Sequence, residues 1–190
     1  MRIVGGALAS RRFAGPGSDR TRPTSERVRE ALASALEARD AIVDAVVLDL
    51  FAGTGALGFE ALSRGAARAV LVDRDRRAAA MIRASAADLG LEDRVTVLAA
   101  DLERGLPARA MSAGPFTLVF ADPPYARTAR AVELLGVLAV GGVLARDATV
   151  VLEHARELTP ELGPALAGDL TTYRYGDTCV TVRFAPESSP

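Results

Sequence analysis

Apolar residues recur along this chain in two patterns. Predominantly apolar, strand-like runs at 46–50, 69–72, 95–99, 117–121 and 149–153 have the length and β-branched content of strands in a covered sheet. Helical patterns separate them, and such alternation predicts a parallel sheet covered by helices on both sides. Ahead of the first run, Val28, Ala31, Leu32, Ala35 and Leu36 fall at i, i+3, i+4, i+7 and i+8, predicting a core-facing helix capped by Thr24 or Ser25. The pattern changes after the fifth run, where residues 170–175 and 178–184 flank Gly176-Asp177 and read as a β-hairpin. Residues 1–23 begin with the apolar pair Ile3-Val4, turn rich in Gly, Pro, Ser and Arg, and read as an arm. The tail, 186–190, is expected to be disordered. No internal repeat is visible.

Composition bounds the function. At ~150 residues per domain, 190 residues make one domain with short appendages, and 49% apolar with 25% charged residues suit a chain with a sizeable core. No apolar run approaches the ~20 residues of a bilayer span and no signal-peptide core opens the chain, so no membrane partner and a cytoplasmic location are expected. A lone cysteine, Cys179, and a lone histidine, His154, supply neither an intramolecular disulfide nor a zinc site. No metal is expected, and both residues read as structural. The net charge of −1 hides an asymmetry, because residues 1–30 carry seven arginines against three acidic residues, or +4, and the remainder carries −5. Every basic residue is arginine, whose planar fork suits phosphate, so an anionic partner for the N-terminal segment is an open possibility.

The first strand runs into Asp49-Leu50-Phe51-Ala52-Gly53-Thr54-Gly55-Ala56-Leu57-Gly58, a G-x-G-x-x-G at a strand-to-helix turn. Glycines there permit the turn and a close approach of backbone to a ligand. Asp73 ends the second strand 20 residues after Gly53, placed to accept from both hydroxyls of a ribose in NAD or S-adenosylmethionine. Asp49 favours the latter, since its charge sits poorly beside a pyrophosphate but can engage the cationic amino group of a methionine moiety. Asp101, at the end of the third strand, can meet an adenine amino group or simply cap a turn.

The most specific chemistry is Asp122-Pro123-Pro124-Tyr125, directly after the fourth strand. Two prolines fix φ and remove two amide donors, leaving a rigid turn that offers carbonyl acceptors. An exocyclic amine on a flat ring is a weak nucleophile, because its lone pair is delocalised. The Asp122 carboxylate and the Pro123 carbonyl can orient its hydrogens, and Tyr125 can stack on the ring, worth ~1–3 kcal/mol for a nucleobase.

These residues resemble a known family. The Asp49 to Gly58 turn together with Asp122-Pro123-Pro124-Tyr125 looks like class I S-adenosylmethionine-dependent methyltransferases that act on an amino nitrogen held in a planar system. The N-terminal residues Arg2-Ile3-Val4-Gly5-Gly6, Arg11-Arg12, and Arg22-Pro23-Thr24 with Arg27-Val28-Arg29-Glu30-Ala31-Leu32 are similar to the RsmD family of 16S rRNA guanine-N2 methyltransferases. The resemblance covers residues 2 to about 184. It implies an α/β, Rossmann-like fold with a seven-stranded sheet, six strands parallel and the seventh reversed. It also implies a basic arm and helix over 1–40 that engages RNA and a methyltransferase domain over 41–185. The cofactor would be S-adenosyl-L-methionine, held by Asp49, Phe51, Gly53, Gly55, Gly58, Asp73 and Asp101. Asp122, Pro123, Pro124 and Tyr125 would carry catalysis, and Arg2, Arg11, Arg12 and Arg22 would contact phosphates, with Gly5-Gly6 turning the arm. The implied target is guanine 966 of 16S rRNA in the small ribosomal subunit or a late assembly intermediate, with a monomer as the default state. DNA adenine-N6 methylation, protein glutamine methylation and a noncatalytic RNA-assembly module are the competing readings. The chain leaves little space for the recognition segments usual in DNA enzymes, and glutamine enzymes more typically show Asn where Asp122 stands.

Overall fold

The computed structural model describes residues 1–15 and 25–185, so Arg22, Thr24 and the 186–190 tail lie outside the described residues. The five apolar runs become β1 (Val46–Leu50), β2 (Arg68–Asp73), β3 (Val95–Ala99), β4 (Phe116–Ala121) and β5 (Leu144–Ala155). The hairpin supplies β6 (Asp169–Tyr175) and β7 (Thr178–Phe184). All seven form one sheet in the order β3-β2-β1-β4-β5-β7-β6. β1 to β5 pair in parallel and β7 runs against both β5 and β6, so six strands share a direction and β7 opposes them. The strand order reverses between β1 and β4, and ligands of open α/β sheets bind outside the carboxyl ends of the strands at such a point.

Period-two alternation sends neighbouring residues of β1 to opposite faces. Val47 packs with Leu71, Leu118, Phe59, Leu62 and Ile82 beneath α1 (Glu26–Glu37), α2 (Ala56–Ser63) and α3 (Arg76–Leu89). Leu48 and Leu50 pack on the other face with Val119, Leu134, Leu135 and Leu138 beneath α4 (Ala108–Met111) and α5 (Thr128–Val140). Each such Leu or Phe removed from water stabilises the fold by roughly 1.5–3 kcal/mol.

Two elements depart from the sequence expectation. β5 extends beyond 149–153 in both directions: at its start Leu144 pairs with Phe116 of β4 beyond a register shift that holds exposed Arg146 and Asp147, and at its end His154 and Ala155 pair with Cys179 and Thr178 of β7. In α1, capped by Ser25 through a Val28 N–H bond of 3.3 Å, the buried stripe is Arg29, Leu32, Ala33 and Leu36, and Ala31 faces solvent. The face is turned because Arg29 is drawn inward to Glu60 of α2, at 3.4 Å.

Glu60 also anchors the arm, accepting the Val4 N–H at 2.7 Å. Residues 1–3 pair with 11–13 through the isolated Arg2–Arg12 bridge, and Ile3 and Phe13 are buried in the same core as Phe59, whose ring meets Phe13 edge-on at 5.4 Å. Gly5-Gly6 forms the expected turn, and at Gly6 (φ +77°) a Cβ would overlap the Ser63 carbonyl, so the pair also lets the arm press on the end of α2. His154 and Cys179 are buried, as their structural reading requires. His154 uses both ring nitrogens, toward Thr181 Oγ1 and the Ala155 carbonyl at 2.9 Å each.

Candidate active site at the carboxyl edge of the sheet

The turn after β1 is built by backbone that side chains rarely permit. Phe51, Gly53 and Gly55 have φ of +61°, +56° and +77°, and Gly55 precedes the first residue of α2, accepting the Phe59 N–H at 2.9 Å. Added methyl groups would meet Leu71 at 2.9 Å from Gly55 and at 3.1 Å from Gly58, so these two glycines let α2 lie directly on β2. At Gly53 the nearest atom to such a methyl is 3.9 Å away, which leaves open space on the side where a ligand would approach. Asp73, at the end of β2, closes the turn: Oδ2 accepts the Gly53 N–H at 2.8 Å and Oδ1 the Asp75 N–H at 2.8 Å.

Asp49 is 2% exposed, and its Oδ2 accepts the Gly58 N–H at 3.0 Å. Burial pushes its carboxyl up to about 7; the Gly58 bond opposes that rise, and the nearby charge of Asp73 adds to it. Such a group holds its negative charge at neutral pH most readily when a cation is brought beside it. Asp101 is exposed, accepts the Glu103 N–H at 3.2 Å as the cap of a 3-10 turn over Leu102–Arg104, and faces Arg127 at 4.0 Å.

Strand β4 lies beside β1, pairing Ala121 with Leu50, and the Asp122 N–H points to the Leu50 carbonyl at 3.4 Å. The tetrapeptide therefore begins immediately beside the glycine turn. Pro123 is buried, while Pro124 and Tyr125 are exposed. The Pro123 carbonyl accepts no hydrogen bond from any described residue, whereas the Pro124 carbonyl takes the Arg127 N–H at 2.7 Å and starts the 3-10 turn Tyr125–Arg127 that leads into α5. The fold thus brings Asp49, Phe51, Gly53, Gly55, Gly58, Asp73, Asp101 and Asp122-Pro123-Pro124-Tyr125 to one edge, across the carboxyl ends of β1 to β4.

Of the four candidate RNA-contacting arginines, Arg2, Arg11 and Arg12 lie among the described residues. Arg2 pairs with Glu26 at 2.9 Å, and with Arg12 it lines a cleft of about 500 Å³ beside Met1, Phe13 and Glu26. Arg11 donates to the Asp88 carbonyl at 2.6 Å, near the end of α3 remote from the carboxyl edge. Two contacts at the site escaped the sequence reading. The Tyr125 hydroxyl lies 2.7 Å from Thr178 Oγ1, and Arg127 reaches Glu103 at 3.3 Å. Both join residues far apart in the chain, and no local spacing marks them.

Residues 1–184 match the model of the family described as conserved hypothetical protein 95. Over 162 residues the chain is 39% identical to Ribosomal RNA small subunit methyltransferase D of Escherichia coli K12, covering 83% of this chain and 76% of that protein. The solved structure of a hypothetical protein from Thermus thermophilus matches with a TM-score of 0.77 at 33% identity, covering 97% of this chain and 99% of the other. An RNA methyltransferase from Salinibacter ruber, solved in complex with S-adenosyl-L-homocysteine, shares the fold at 22% identity, with a TM-score of 0.64 over 89% of this chain and 97% of that one.

Proposed function

We propose that this chain, which belongs to the RsmD family of rRNA methyltransferases described as conserved hypothetical protein 95, methylates the exocyclic N2 of a guanine in 16S rRNA. Its fold is that of the class I methyltransferases, and its cofactor is S-adenosylmethionine. The donor set suits that molecule: a buried carboxylate for an ammonium, a second beside open backbone for a ribose diol, and a third for an adenine amine. The same three carboxylates would repel a pyrophosphate.

The observation that carries the guanine reading is the junction of β4 with β1, where the Asp122 N–H meets the Leu50 carbonyl and sets the amine-orienting turn against the glycine turn. S-adenosylmethionine, when bound, supplies an electrophilic methyl group on a sulfonium. Asp49 binds its amino group, Asp73 its ribose and Asp101 its adenine, with the backbone from Phe51 to Gly58 alongside. The Asp122 carboxylate and the Pro123 carbonyl accept the two amine hydrogens and aim the nitrogen lone pair, while Tyr125 stacks on the base. Alignment of this kind can lower a barrier by ~7–11 kcal/mol, and no covalent enzyme intermediate is needed. The amine loses its proton readily once alkylated, so Asp122 serves orientation more than basicity.

The target base must leave its stack to enter the turn, which favours an exposed base within structured RNA. The resemblance names guanine 966, on the small subunit or a late assembly intermediate. In this reading residues 1–40 engage RNA through Arg2, Arg11, Arg12 and Arg22, residues 41–185 hold the cofactor, and the enzyme acts as a cytoplasmic monomer. Among the described residues no helix is long and apolar enough to cross a membrane. The test is nucleoside mass spectrometry after incubating the protein and S-adenosylmethionine with unmodified small subunits, free 16S rRNA and unmethylated DNA. N2-methylguanosine is expected from small subunits or free 16S rRNA, and N6-methyladenine from DNA or no product would overturn the proposal.

A further inference from the structure

Tyr125 is 47% exposed, yet its position is fixed from both ends. At the backbone, the Thr128 hydroxyl donates to the Tyr125 carbonyl at 3.0 Å and the residue opens a 3-10 turn. At the ring, the phenol and the Thr178 hydroxyl lie 2.7 Å apart, one donating to the other. Thr178 is the first residue of β7, and because β7 runs against its neighbours, its start lies at the carboxyl edge opposite Ala155 of β5 and Tyr175 of β6. Between β4 and β7 stands β5, so the ring spans the end of one strand, a separation of two spacings of ~4.8 Å. Without the second anchor an exposed tyrosine would keep both side-chain torsions free, and stacking on it would cost their ordering. Threonine suits the anchor, since its β-branch stiffens χ1 and favours a strand.

We propose that Thr178 is a positioning residue for methyl transfer. Its hydroxyl holds the Tyr125 ring in the orientation that receives the target base, and the end of the β6–β7 hairpin thereby forms the outer wall of the base pocket. The phenol is engaged with Thr178, so the ring offers the base a face. This rests on the proposal that Tyr125 stacks on the target.

The test is a double-mutant cycle read by single-turnover methylation at saturating cofactor and RNA, using unmodified small subunits. It compares wild type, Thr178→Val, Tyr125→Phe, the two combined, and Thr178→Ser. Valine keeps the shape and strand preference of threonine, and phenylalanine keeps the stacking face. Each single variant is expected to lose about two- to tenfold in rate, the range of one net hydrogen bond. The combined variant should lose no more than either, Thr178→Ser should recover most of the wild-type rate, and the Kd for S-adenosylmethionine should be unchanged. Additive losses, a wild-type rate for Thr178→Val, or a parallel fall in cofactor affinity would each overturn the assignment. If wild type methylates DNA or protein instead of RNA, the guanine proposal fails, and the same cycle on that substrate still decides Thr178. A wild type that methylates nothing overturns both.

Discussion

Replacing Asp49 by Asn separates what this carboxylate costs the fold from what it gives the site. The carboxyl is buried with its titration raised from 3.8 to about 7, chiefly by desolvation. A group whose native pKa exceeds its unfolded value favours the native state at low pH and loses that advantage as pH rises between the two values. Between about pH 4 and pH 7 the native protein keeps a proton that the unfolded chain has released, so stability falls by about 1.4 kcal/mol per pH unit. Across that interval the loss is about 4 kcal/mol, and above it the curve is flat again. Asn keeps an acceptor for the Gly58 N–H and does not titrate. Asp49→Asn should therefore match wild type near pH 4 and exceed it by about 4 kcal/mol at pH 8, measured by urea unfolding of cofactor-free protein. The same substitution removes the proposed partner of the methionine ammonium and should weaken S-adenosylmethionine by about 10- to 100-fold, the range of a hydrogen bond between charged groups. Wild-type affinity should rise between pH 6 and pH 8 as Asp49 ionises, and the variant should lack that rise. Unfolding profiles that stay parallel across pH would refute the desolvation argument, and unchanged cofactor affinity would remove Asp49 from the site.

Three further perturbations address separate parts of the molecule. Asp122→Ala should slow single-turnover methylation on the order of 10²-fold, the usual cost of misaligned reactants, and Asp122→Asn, which keeps an acceptor, should lose less; equal rates for wild type and Asp122→Ala would contradict the orienting role. Arg183 on β7 is buried and donates to the Ala148 and Ala167 carbonyls, each at 2.6 Å, so Arg183→Met should lower the stability measured by urea unfolding by roughly 1–3 kcal/mol without altering turnover per folded molecule. Glu60→Ala removes the acceptor of the Val4 N–H and the carboxylate facing Arg29, and should cost about 3–5 kcal/mol and expose residues 1–15 to limited proteolysis, whereas an unchanged cleavage pattern would show that the arm is held without Glu60, by its apolar contacts and its hydrogen bonds to Ser63.

What was legible in the sequence follows from the range of the interactions. The five parallel strands declared themselves because each is predominantly apolar, and the glycine turn and the proline turn because each is a contiguous string whose backbone demands those residues. The full length of β5 did not, since Arg146 and Asp147 break the apolar run at a register shift, beyond which Leu144 still pairs with Phe116 of β4. The buried face of α1 was misplaced by the assumption that arginine stays in water, which fails when a buried carboxylate from another helix receives it. Glu60 lies within an apolar helix pattern that gives no sign of this role. The Tyr125–Thr178 and Arg127–Glu103 contacts are set by which strand ends share an edge, and that is a property of the strand order.

Ile3 and Phe13 are buried with Phe59, so the apolar side of residues 1–15 belongs to the core while Arg2, Arg11 and Arg12 lie at the surface. Arg2 is paired with Glu26, but both side chains are largely exposed, and an exposed pair holds by only ~0.2–1 kcal/mol. Arg11 spends one guanidinium donor on the Asp88 carbonyl and has others to give. In the RNA proposal a phosphate recruits Arg2, Arg11 and Arg12 by exchanging weak surface contacts, with the backbone bridge and the buried arm residues left in place. The buried packing of residues 1–15 and their role in the RNA proposal are compatible for that reason: the apolar anchors set where Arg2, Arg11 and Arg12 stand, and the solvent-exposed contacts determine how little it costs to release them.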